Sequence, residues 1–588
     1  DEKSLLQNAA VLGKLFWLGA AVALAEVERW AAEERLHALE RKEFLRRERR
    51  TSVAGEVEYA FRHLLVRDVA YGQIPRATRA EKHRVAARWI ESLGRPEDHA
   101  EMLAHHYLRV LELSRAVGQV APDVVDPARA ALTEAGDRAS SLNACAAAVR
   151  FYDEALALGF RDRVDEARVR FQRGKALHLA GREDPERALE EAREALLESG
   201  DSERAGEADA LLAELWWHRG DRERSARHLD RARATVEALP PSAGKAHVLS
   251  QVSRYCMLAD ENEEAVRIGS EALAMAEALG LDELRAHALD NIGTAKVNLG
   301  DASGLADLER SLEIAVAARS PEASRAANNL GVTTWMLGDI RRSIVFIDEA
   351  VAIAERLGNS PLGKYSRLIQ VAQRIRVGDW DDGLQRADEF LAACDDGEQH
   401  YLEPDIRSRR AVARLARDDV DGALDDIRKA LPAARRAGDP QALVPTLAAA
   451  TRLLVWVGDT DEAASLAREA LAMDPPSWTL IDLGWVAGDV HCAEELAEAL
   501  ERHRLPTKWT DAARALLRDD FRAAADVFYD IGELHDEALA RLRAAAQLVA
   551  DGRRAEADEQ LQRSLVFWRS VGATRYIREG EALLAKTA

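Results

Sequence analysis

A pair of residues, most often Gly-Asp, returns about every forty residues through most of this chain. Counted by their first residues, successive copies are 38 to 41 residues apart. They are Gly181, Gly220-Asp221, Ala259-Asp260, Gly300-Asp301, Gly338-Asp339, Gly378-Asp379, Asp418-Asp419 and Gly458-Asp459. A fixed period of this size indicates stacked copies of one supersecondary unit, because a single copy cannot bury its apolar face alone.

Each copy is typical of two helices joined at the Gly-Asp turn. In the copy around Gly338, Gly331 lies two helical turns earlier, and Ser343, Ile347 and Ala350 follow at helical spacing. Small residues at these points let two antiparallel helices approach closely, while larger apolar side chains fill the layer between them. We therefore predict an all-α fold, an α-solenoid superhelix of about twelve helical hairpins.

Composition agrees with helices and limits the partners. Charged residues make up 31% of the 588 residues and aromatic residues only 5%, which favours helix over sheet. The 81 Lys and Arg against 102 Asp and Glu give a net charge of −21, although residues 1–95 are slightly basic. Because an acidic array repels nucleic acid and anionic membranes, we expect a protein, peptide or small-molecule partner instead.

The cysteines and the apolar stretches argue against a metal centre and a membrane anchor. Residues 15–25 form an uncharged stretch that is too short to span a bilayer, and we expect a buried helix there. No C-x-x-C pair occurs, so we expect four buried thiols in a reducing, cytoplasmic environment and no metal. These thiols are Cys145, Cys256, Cys394 and Cys492.

The first 95 residues do not follow the repeat. Their hydrophobic spacing predicts four helices, and Gly55 suits the turn of a short β-hairpin. The predicted helices cover residues 4–24, 26–39, 64–69 and 76–92, and the predicted strands cover 44–47 and 57–61. Helices followed by a short hairpin favour a winged-helix domain.

The repeat array and the N-terminal segments each resemble a known family. The array resembles the tetratricopeptide repeat, although that unit is about 34 residues long and these are near 40. The N-terminal words LLQNAAVLGKLFW, YAFRHLLVRDVAYGQIPRATRAEKHRVAARWIE and EMLAHHYLRVLEL resemble the segment that follows the nucleotide-binding domain in bacterial STAND-type AAA ATPases. The resemblance implies the order effector domain, ATPase, winged helix and repeat array. The effector in such proteins is a class III adenylate or guanylate cyclase or a transcription-factor domain.

The sequence does not contain the motifs of an enzyme of this family. No G-x-x-x-x-G-K-[ST] loop occurs, and Gly244-Lys245-Ala246 lacks both the first glycine and the hydroxyl of that motif. We therefore expect no catalysis and no cofactor in this fragment, with ATP and Mg²⁺ bound only by an upstream domain of a longer protein. The resemblance makes His63 a candidate for sensing the nucleotide, with a structural histidine as the alternative.

In such arrays the first helix of each hairpin lines the concave surface. Counting back from the turns predicts a ligand-binding face there. Asn291 and Asn329 occupy matching positions suited to a peptide backbone, and Trp217 and Trp335 also match each other. The alternative is that the tryptophans pack between repeats. The predicted face consists of Trp217, Arg254, His287, Asn291, Asn329, Trp335 and Arg376.

These observations predict four segments and one main function. The segments are a winged-helix-like domain over 1–95, a helical connector over 96–127, regular repeats over 128–474 and irregular repeats with a cap over 475–588. We expect a non-catalytic sensor that binds its ligand on the array and signals through the winged helix to upstream domains. The alternatives are a nucleotide-independent interaction scaffold, DNA binding through the basic run 41–50, and an all-helical enzyme.

Overall fold

The computed structural model describes residues 2–94, 96–181, 184–219, 221–356, 361–397, 400, 402–437, 440–503 and 505–587. The predicted turn residue Gly220 therefore lies outside the described residues. The chain forms two compact units, one of residues 1–215 with 230–235 and the other of residues 216–229 with 236–588. The four segments drawn from the sequence stay a prediction.

The N-terminal region combines five helices with a small sheet. Its elements are α1 (Glu2–Leu12), β1 (Leu15–Trp17), α2 (Leu18–Ala25), α3 (Arg29–Arg41), β2 (Leu45–Arg47), β3 (Glu58–Phe61), α4 (Leu64–Gly72) and α5 (Arg76–Ser92). The sheet is antiparallel with the order β1-β3-β2, and Leu45 lies opposite Phe61. This pairing confirms the predicted hairpin.

One predicted helix in this region is wrong. The helix expected over residues 4–24 is interrupted by β1, because Gly13 takes a φ of 133° that a helix cannot contain. Residues 15–17 then pair with β3, with Leu15 opposite Ala60. Phe16 is thereby buried against Tyr59 and Phe61 in the core of this region.

The rest of the described chain consists of helices joined by turns and loops. A 3₁₀ turn (Pro96–His99) precedes them. The helices from residue 100 to residue 237 are α6 (Ala100–Ala116), α7 (Pro122–Ser141), α8 (Cys145–Ala157), α9 (Arg163–Leu179), α10 (Pro185–Ser199), α11 (Ser202–His218) and α12 (Arg222–Glu237). The helices that follow them are α13 (Ala243–Leu258), α14 (Asn262–Leu279), α15 (Asp282–Asn298), α16 (Gly304–Ala317), α17 (Glu322–Met336), α18 (Ile340–Arg356), α19 (Pro361–Arg376), α20 (Trp380–Asp395), α21 (Glu403–Ala416), α22 (Val420–Ala437), α23 (Pro440–Val457) and α24 (Thr460–Leu471). The C-terminal helices are α25 (Leu480–Gly484), α26 (Ala493–Arg502), α27 (Lys508–Leu517), α28 (Phe521–Ile531), α29 (Leu534–Ala550), α30 (Arg554–Ser570) and α31 (Thr574–Thr587).

Consecutive helices pair as hairpins, as the repeat predicts. Among the described residues, eleven such pairs from α7/α8 to α29/α30 pack directly. In the remaining pair, α11/α12, Arg231 lies 3.3 Å from Asp209. The predicted shortening is also confirmed, because α25 to α28 have only 5, 10, 10 and 11 residues.

From Asp260 to Gly458, a left-handed residue closes the turn of each hairpin and fixes the register of the repeat. Positive φ angles recur at steps of 38 or 40 residues from Asp260 to Gly458. The series is Asp260, Gly300, Gly338, Gly378, Asp418 and Gly458. Asp260, and not Ala259, is thus the counterpart of the glycines, which corrects the predicted register by one residue. Aspartate is among the few residues with a side chain that adopt this conformation readily.

Small residues bring the paired helices together where the sequence predicts it. A Cβ on Gly331 would lie 2.7 Å from Ile347 Cδ1, and one on Gly293 would lie 2.7 Å from the carbonyl oxygen of Gly304. The hydroxyl of Ser343 donates to the carbonyl oxygen of Gly331 at 2.5 Å. The close approach of these helices therefore depends on the absence of side-chain atoms at the glycines.

Within the described ranges, no helix combines the length and the hydrophobicity that crossing a bilayer requires. Within the same ranges, no group of three or more His, Cys, Asp or Glu side chains is arranged to hold a metal ion. Cys256 and Cys492 are buried, whereas Cys145 and Cys394 are partly exposed, and none of the four forms a disulfide.

Candidate functional site

The seven predicted ligand-binding residues all lie on first helices of hairpins, from α11 to α19. The structure divides them into two groups. His287, Asn291 and Asn329 lie in one set of polar contacts among α13, α15 and α17, here called the polar network, and the charge of Arg254 acts on Asp290 and Glu322 at its edge. Trp217 lies beside this group, whereas Trp335 and Arg376 face a different part of the chain.

Arg325 is the centre of the polar network, although the sequence did not single it out. Its guanidinium donates to Asn291 Oδ1 at 3.0 Å and to Glu322 at 2.7 Å, and it lies 2.9 Å from Asp290 Oδ2. Burial opposes ionisation of Glu322, but Arg325 outweighs it and holds the pKa of Glu322 at about 2. A buried cation with this many acceptors joins α15 to α17.

Asn291 and His287 are inside the protein, which corrects their predicted role. Asn291 is fully buried, and its amide donates to the carbonyl oxygen of Ser250 at 2.9 Å. His287 Nδ1 lies 2.5 Å from the Ser250 hydroxyl. Burial, with Arg325 adding to it, lowers the pKa of His287 well below its usual value, so the ring is neutral. Both side chains hold α13 against α15 and are closed to a ligand.

Asn329 is partly exposed and reaches the network from α17. Its amide donates to Asp290 Oδ2 at 2.7 Å. Asp290 itself is almost fully buried, and burial raises its pKa although Arg325 opposes the shift. The second carboxylate oxygen of Asp290, Oδ1, is buried without a hydrogen-bond partner. Buried oxygens of this kind are uncommon in native proteins, and each calls for an explanation.

Arg254 and Gln251 form the half-buried edge of the polar network on α13. The two residues are three apart and so share one face of the helix. Arg254 makes no ion pair within 4.0 Å in the part of the chain that the structure describes, although its charge acts on Asp290 and Glu322. Gln251 Oε1 is buried and lacks a hydrogen-bond partner. This edge therefore combines a cation that makes no direct ion pair among the described residues and an acceptor without a donor.

Trp217 borders the same edge. Its ring lies 5.6 Å from that of Tyr255, the neighbour of Arg254 in α13, and the Arg222 guanidinium stacks 3.4 Å above it. The indole is partly exposed. Trp217 therefore belongs beside Arg254, as the sequence predicts, but one of its faces is already occupied by a cation.

Trp335 and Arg376 are covered by the chain's own C-terminal helices. The Trp335 ring lies 4.8 Å from that of Trp478, and its carbonyl oxygen accepts a hydrogen bond of 2.8 Å from Trp509 Nε1. Arg376 forms a 2.7 Å ion pair with Glu533 and stacks on Trp335. The prediction that these two residues face a ligand is therefore corrected. The alternative drawn from the sequence, that the tryptophan packs internally, fits Trp335.

Further contacts of this kind attach the C-terminal helices to first helices of the same unit. Arg452 pairs with Asp536 at 2.6 Å and with Asp482 at 2.9 Å, and Arg575 donates to the carbonyl oxygen of Trp456 at 3.0 Å. Among the described residues, the C-terminal part of the chain thus covers the predicted ligand-binding side of the first helices from α17 to α23. Of the seven predicted residues, Trp217, Arg254 and Asn329 thus remain accessible, on α11, α13 and α17.

Sequence reasoning missed Gln251, Asp290 and Arg325. A signal for one of them was present: Arg325 and His287 both lie thirteen residues before the left-handed turn residue. Gln251 could not be identified from the sequence, because its position in the repeat becomes clear only when the turn is counted from Asp260 instead of Ala259. His63 is exposed immediately before α4 and makes no side-chain cap to that helix. Its nucleotide-sensing role stays a prediction.

No protein-family model and no curated protein sequence matches this chain. Several solved helical structures are similar. A Rap protein complexed with competence and sporulation factor shows 14% identity and a TM-score of 0.42 over 61% of this chain and 98% of its own. A STAND protein with a tetratricopeptide repeat sensor from Pyrococcus horikoshii shows 15% and 0.35 over 67% and 64%. The apo quorum sensor NprR from B. thuringiensis shows 10% and 0.38 over 61% and 98%. At these values the likenesses carry no conclusion about ligand or activity.

Proposed function

We propose that this chain is a non-catalytic regulatory module that binds a peptide or a peptide segment of a protein on the first-helix face of α13, α15 and α17. The observation that carries the proposal is the edge of the polar network, where Arg254 makes no ion pair within 4.0 Å among the described residues and Gln251 Oε1 lacks a donor. If the ligand is not a peptide, we propose a small effector that carries the same acceptor and donor groups as a peptide.

The chemistry of the edge favours a peptide. A peptide group offers a carbonyl acceptor and an N–H donor a few ångströms apart. The carbonyl oxygen, or an acidic side chain, satisfies Arg254, and the N–H satisfies Gln251 Oε1. Asn329 supplies a further amide beside them, held in place by Asp290. An extended segment can thus replace the water that these groups would otherwise need.

The N-terminal region provides a route for the signal. The order helix, strand, two helices and two strands, with the sheet order β1-β3-β2, supports a winged-helix domain. We propose that it transmits ligand binding to an upstream ATPase, whose ATP and Mg²⁺ His63 would sense, and thence to a cyclase or transcription domain. A nucleotide-independent scaffold is the alternative, in which ligand binding leaves this region unchanged.

A screen of pooled peptides by thermal unfolding tests the proposal. A peptide at one hundred times its Kd stabilises the folded chain by about 2.7 kcal/mol, so its pool raises the Tm. The double variant Gln251→Leu and Arg254→Gln is expected to lose this rise. The control Arg310→Gln, whose side chain is 60% exposed on α16, is expected to keep it. The proposal fails if no pool raises the Tm, or if the double variant responds as the wild type does.

A further inference from the structure

The N-terminal region contains an open cavity of about 340 Å³ between α1 and α4. Six of its nine lining residues are apolar, and none of the nine belongs to the proposed peptide site on α13, α15 and α17. Phe44, which directly precedes β2, lines it together with residues of the two helices. We call the cavity the apolar groove, and its apolar lining consists of Leu6, Phe44, Leu65, Val66, Val69 and Ala70.

The outer wall of the apolar groove exposes large apolar side chains. Leu65 is 74% exposed, Val69 53% and Phe44 38%. Leu65 and Val69 are four residues apart and so share one face of α4, whereas Val66 and Ala70 pack against the core of the region. Single exposed apolar residues are normal on a surface, but several around one cavity indicate an interaction site.

The shape of the apolar groove fits a helix. The lining residues on α1 are spaced as i, i+3 and i+4, and those on α4 include two pairs four residues apart, so each helix presents one ridge. A third helix packs between two such ridges with apolar side chains at i, i+3 or i+4, and i+7. The lining of α4 spans residues 65–73, which is about 12 Å or two helical turns.

The charge at the apolar groove favours an acidic helix. Lys3 is the one charged residue of the lining, is exposed, and makes no ion pair within 4.0 Å with the described residues. The adjoining cations are neutralised, because Lys42 pairs with Glu2 at 2.5 Å and Arg62 pairs with Glu43 at 3.6 Å. A carboxylate on the bound helix would therefore pair with Lys3.

Two other occupants fit these observations less well. A bilayer presents a flat surface that does not fill a cavity, and the net charge of −21 repels an anionic one. A second copy related by a twofold axis, groove against groove, would place the same surface against itself. Two concave surfaces leave a void between them, and the two Lys3 side chains would repel each other.

We propose that the apolar groove binds an acidic amphipathic helix of a partner protein. Apolar side chains of this helix cover Leu65, Val69 and Phe44, and one of its carboxylates accepts a charge-assisted hydrogen bond from Lys3. The proposal does not rest on the proposed function, because the two sites share no residue and bind different ligands.

Fluorescence anisotropy tests the proposal on the whole chain. The probe is a labelled model helix of about fifteen residues, with leucines at i, i+4 and i+7 and glutamates beside them. The double variant Leu65→Gln and Val69→Gln is expected to weaken binding by at least about tenfold, because two apolar contacts are lost. The matched control is Val345→Gln with Val566→Gln, two valines that are 63% and 72% exposed on α18 and α30. The control is expected to bind within about twofold of the wild type.

Reversal of the charge at Lys3 tests the acidic character of the partner. In Lys3→Glu the glutamate helix is expected to bind about threefold more weakly, which is the size of an exposed ion pair. A helix with lysines in place of the glutamates is expected to bind this variant more tightly than it binds the wild type. Equal affinities of the two helices for the wild type would contradict an acidic partner.

Other results would overturn the proposal. Absence of glutamate-helix binding, equal weakening in the valine control, or equal binding of a scrambled peptide would contradict it. Dimers or binding to phosphatidylglycerol vesicles that Leu65→Gln with Val69→Gln abolishes would assign the apolar groove to a second copy or to a membrane. The Gln251→Leu and Arg254→Gln variant is expected to bind the model helix as the wild type does, so failure of the peptide site and failure of this site are distinguishable.

Discussion

At the scale of residues, glycine and serine let the two helices of a hairpin approach closely. Gly331 and Ser343 meet across the hairpin as their small size indicates. Asn291 and His287 occupy the predicted helix, but their burial depends on Ser250 and Arg325 from neighbouring hairpins. The repeat period shows on which face of a helix a residue lies. It does not show which neighbouring hairpin covers that face.

The glycine contact in the hairpin of α15 and α16 gives a stability prediction. In Gly293→Ala the new Cβ would lie 2.7 Å from the carbonyl oxygen of Gly304, which is backbone and cannot move aside. Overpacking costs about 1–3 kcal/mol and outweighs the roughly 1 kcal/mol that alanine gains in a helix. Because the obstructing atom is backbone, we expect the upper end of the overpacking cost and therefore a net loss of about 2 kcal/mol in urea unfolding.

The matched control for this substitution is Gly488→Ala. Gly488 lies in the same unit, has a negative φ, and no atom lies within 4 Å of its added Cβ. We expect its free energy of unfolding to change by no more than about 0.5 kcal/mol. If Gly293→Ala loses no more stability than this control, the result contradicts the close backbone contact between α15 and α16.

At the scale of elements, α5 and α6 are joined by buried histidines. His83 Nδ1 lies 2.8 Å from His106 Nδ1, and the Tyr71 hydroxyl lies 2.9 Å from His83 Nε2. Burial, with His106 adding to it, lowers the pKa of His83 to about 2, and burial with His105 lowers that of His106 to about 3. Arg67 and Arg109, which face the same cluster, also disfavour its protonation.

This cluster predicts acid sensitivity. Both folded pKa values lie below the unfolded value of about 6.5, so the unfolded chain takes up more protons as the pH falls. The stabilisation is present above pH 6.5 and is lost below it, by up to about 1.4 kcal/mol per pH unit for each histidine. We expect the urea midpoint to fall between pH 7 and pH 5.

The double variant His83→Gln and His106→Gln tests whether these two residues are the cause. We expect a smaller difference between its midpoints at pH 7 and pH 5, even if it is less stable at both. The exposed His37 on α3 supplies the control His37→Gln, which should keep the wild-type difference. An unchanged difference in the double variant would assign the acid sensitivity to other groups.

At the scale of the whole chain, the repeat period predicted most of the fold. The helical hairpins and their shortening between 475 and 535 follow from spacing and from prolines. The attachment of α27 to α31 to earlier helices could not be predicted, because its contacts join residues far apart in sequence. Arg376 and Glu533, and Trp335 and Trp509, are separated by 157 and 174 residues. These contacts remove Trp335 and Arg376 from the predicted face.

The most direct test of ligand binding and signal transmission is hydrogen exchange, measured with and without a peptide found by thermal unfolding. We expect slower exchange in α13, α15 and α17 around Gln251 and Arg254, together with altered exchange in residues 2–94. Unchanged exchange in residues 2–94 would contradict transmission and favour a scaffold. Protection confined to other helices, with α13, α15 and α17 unaffected, would contradict the account as a whole.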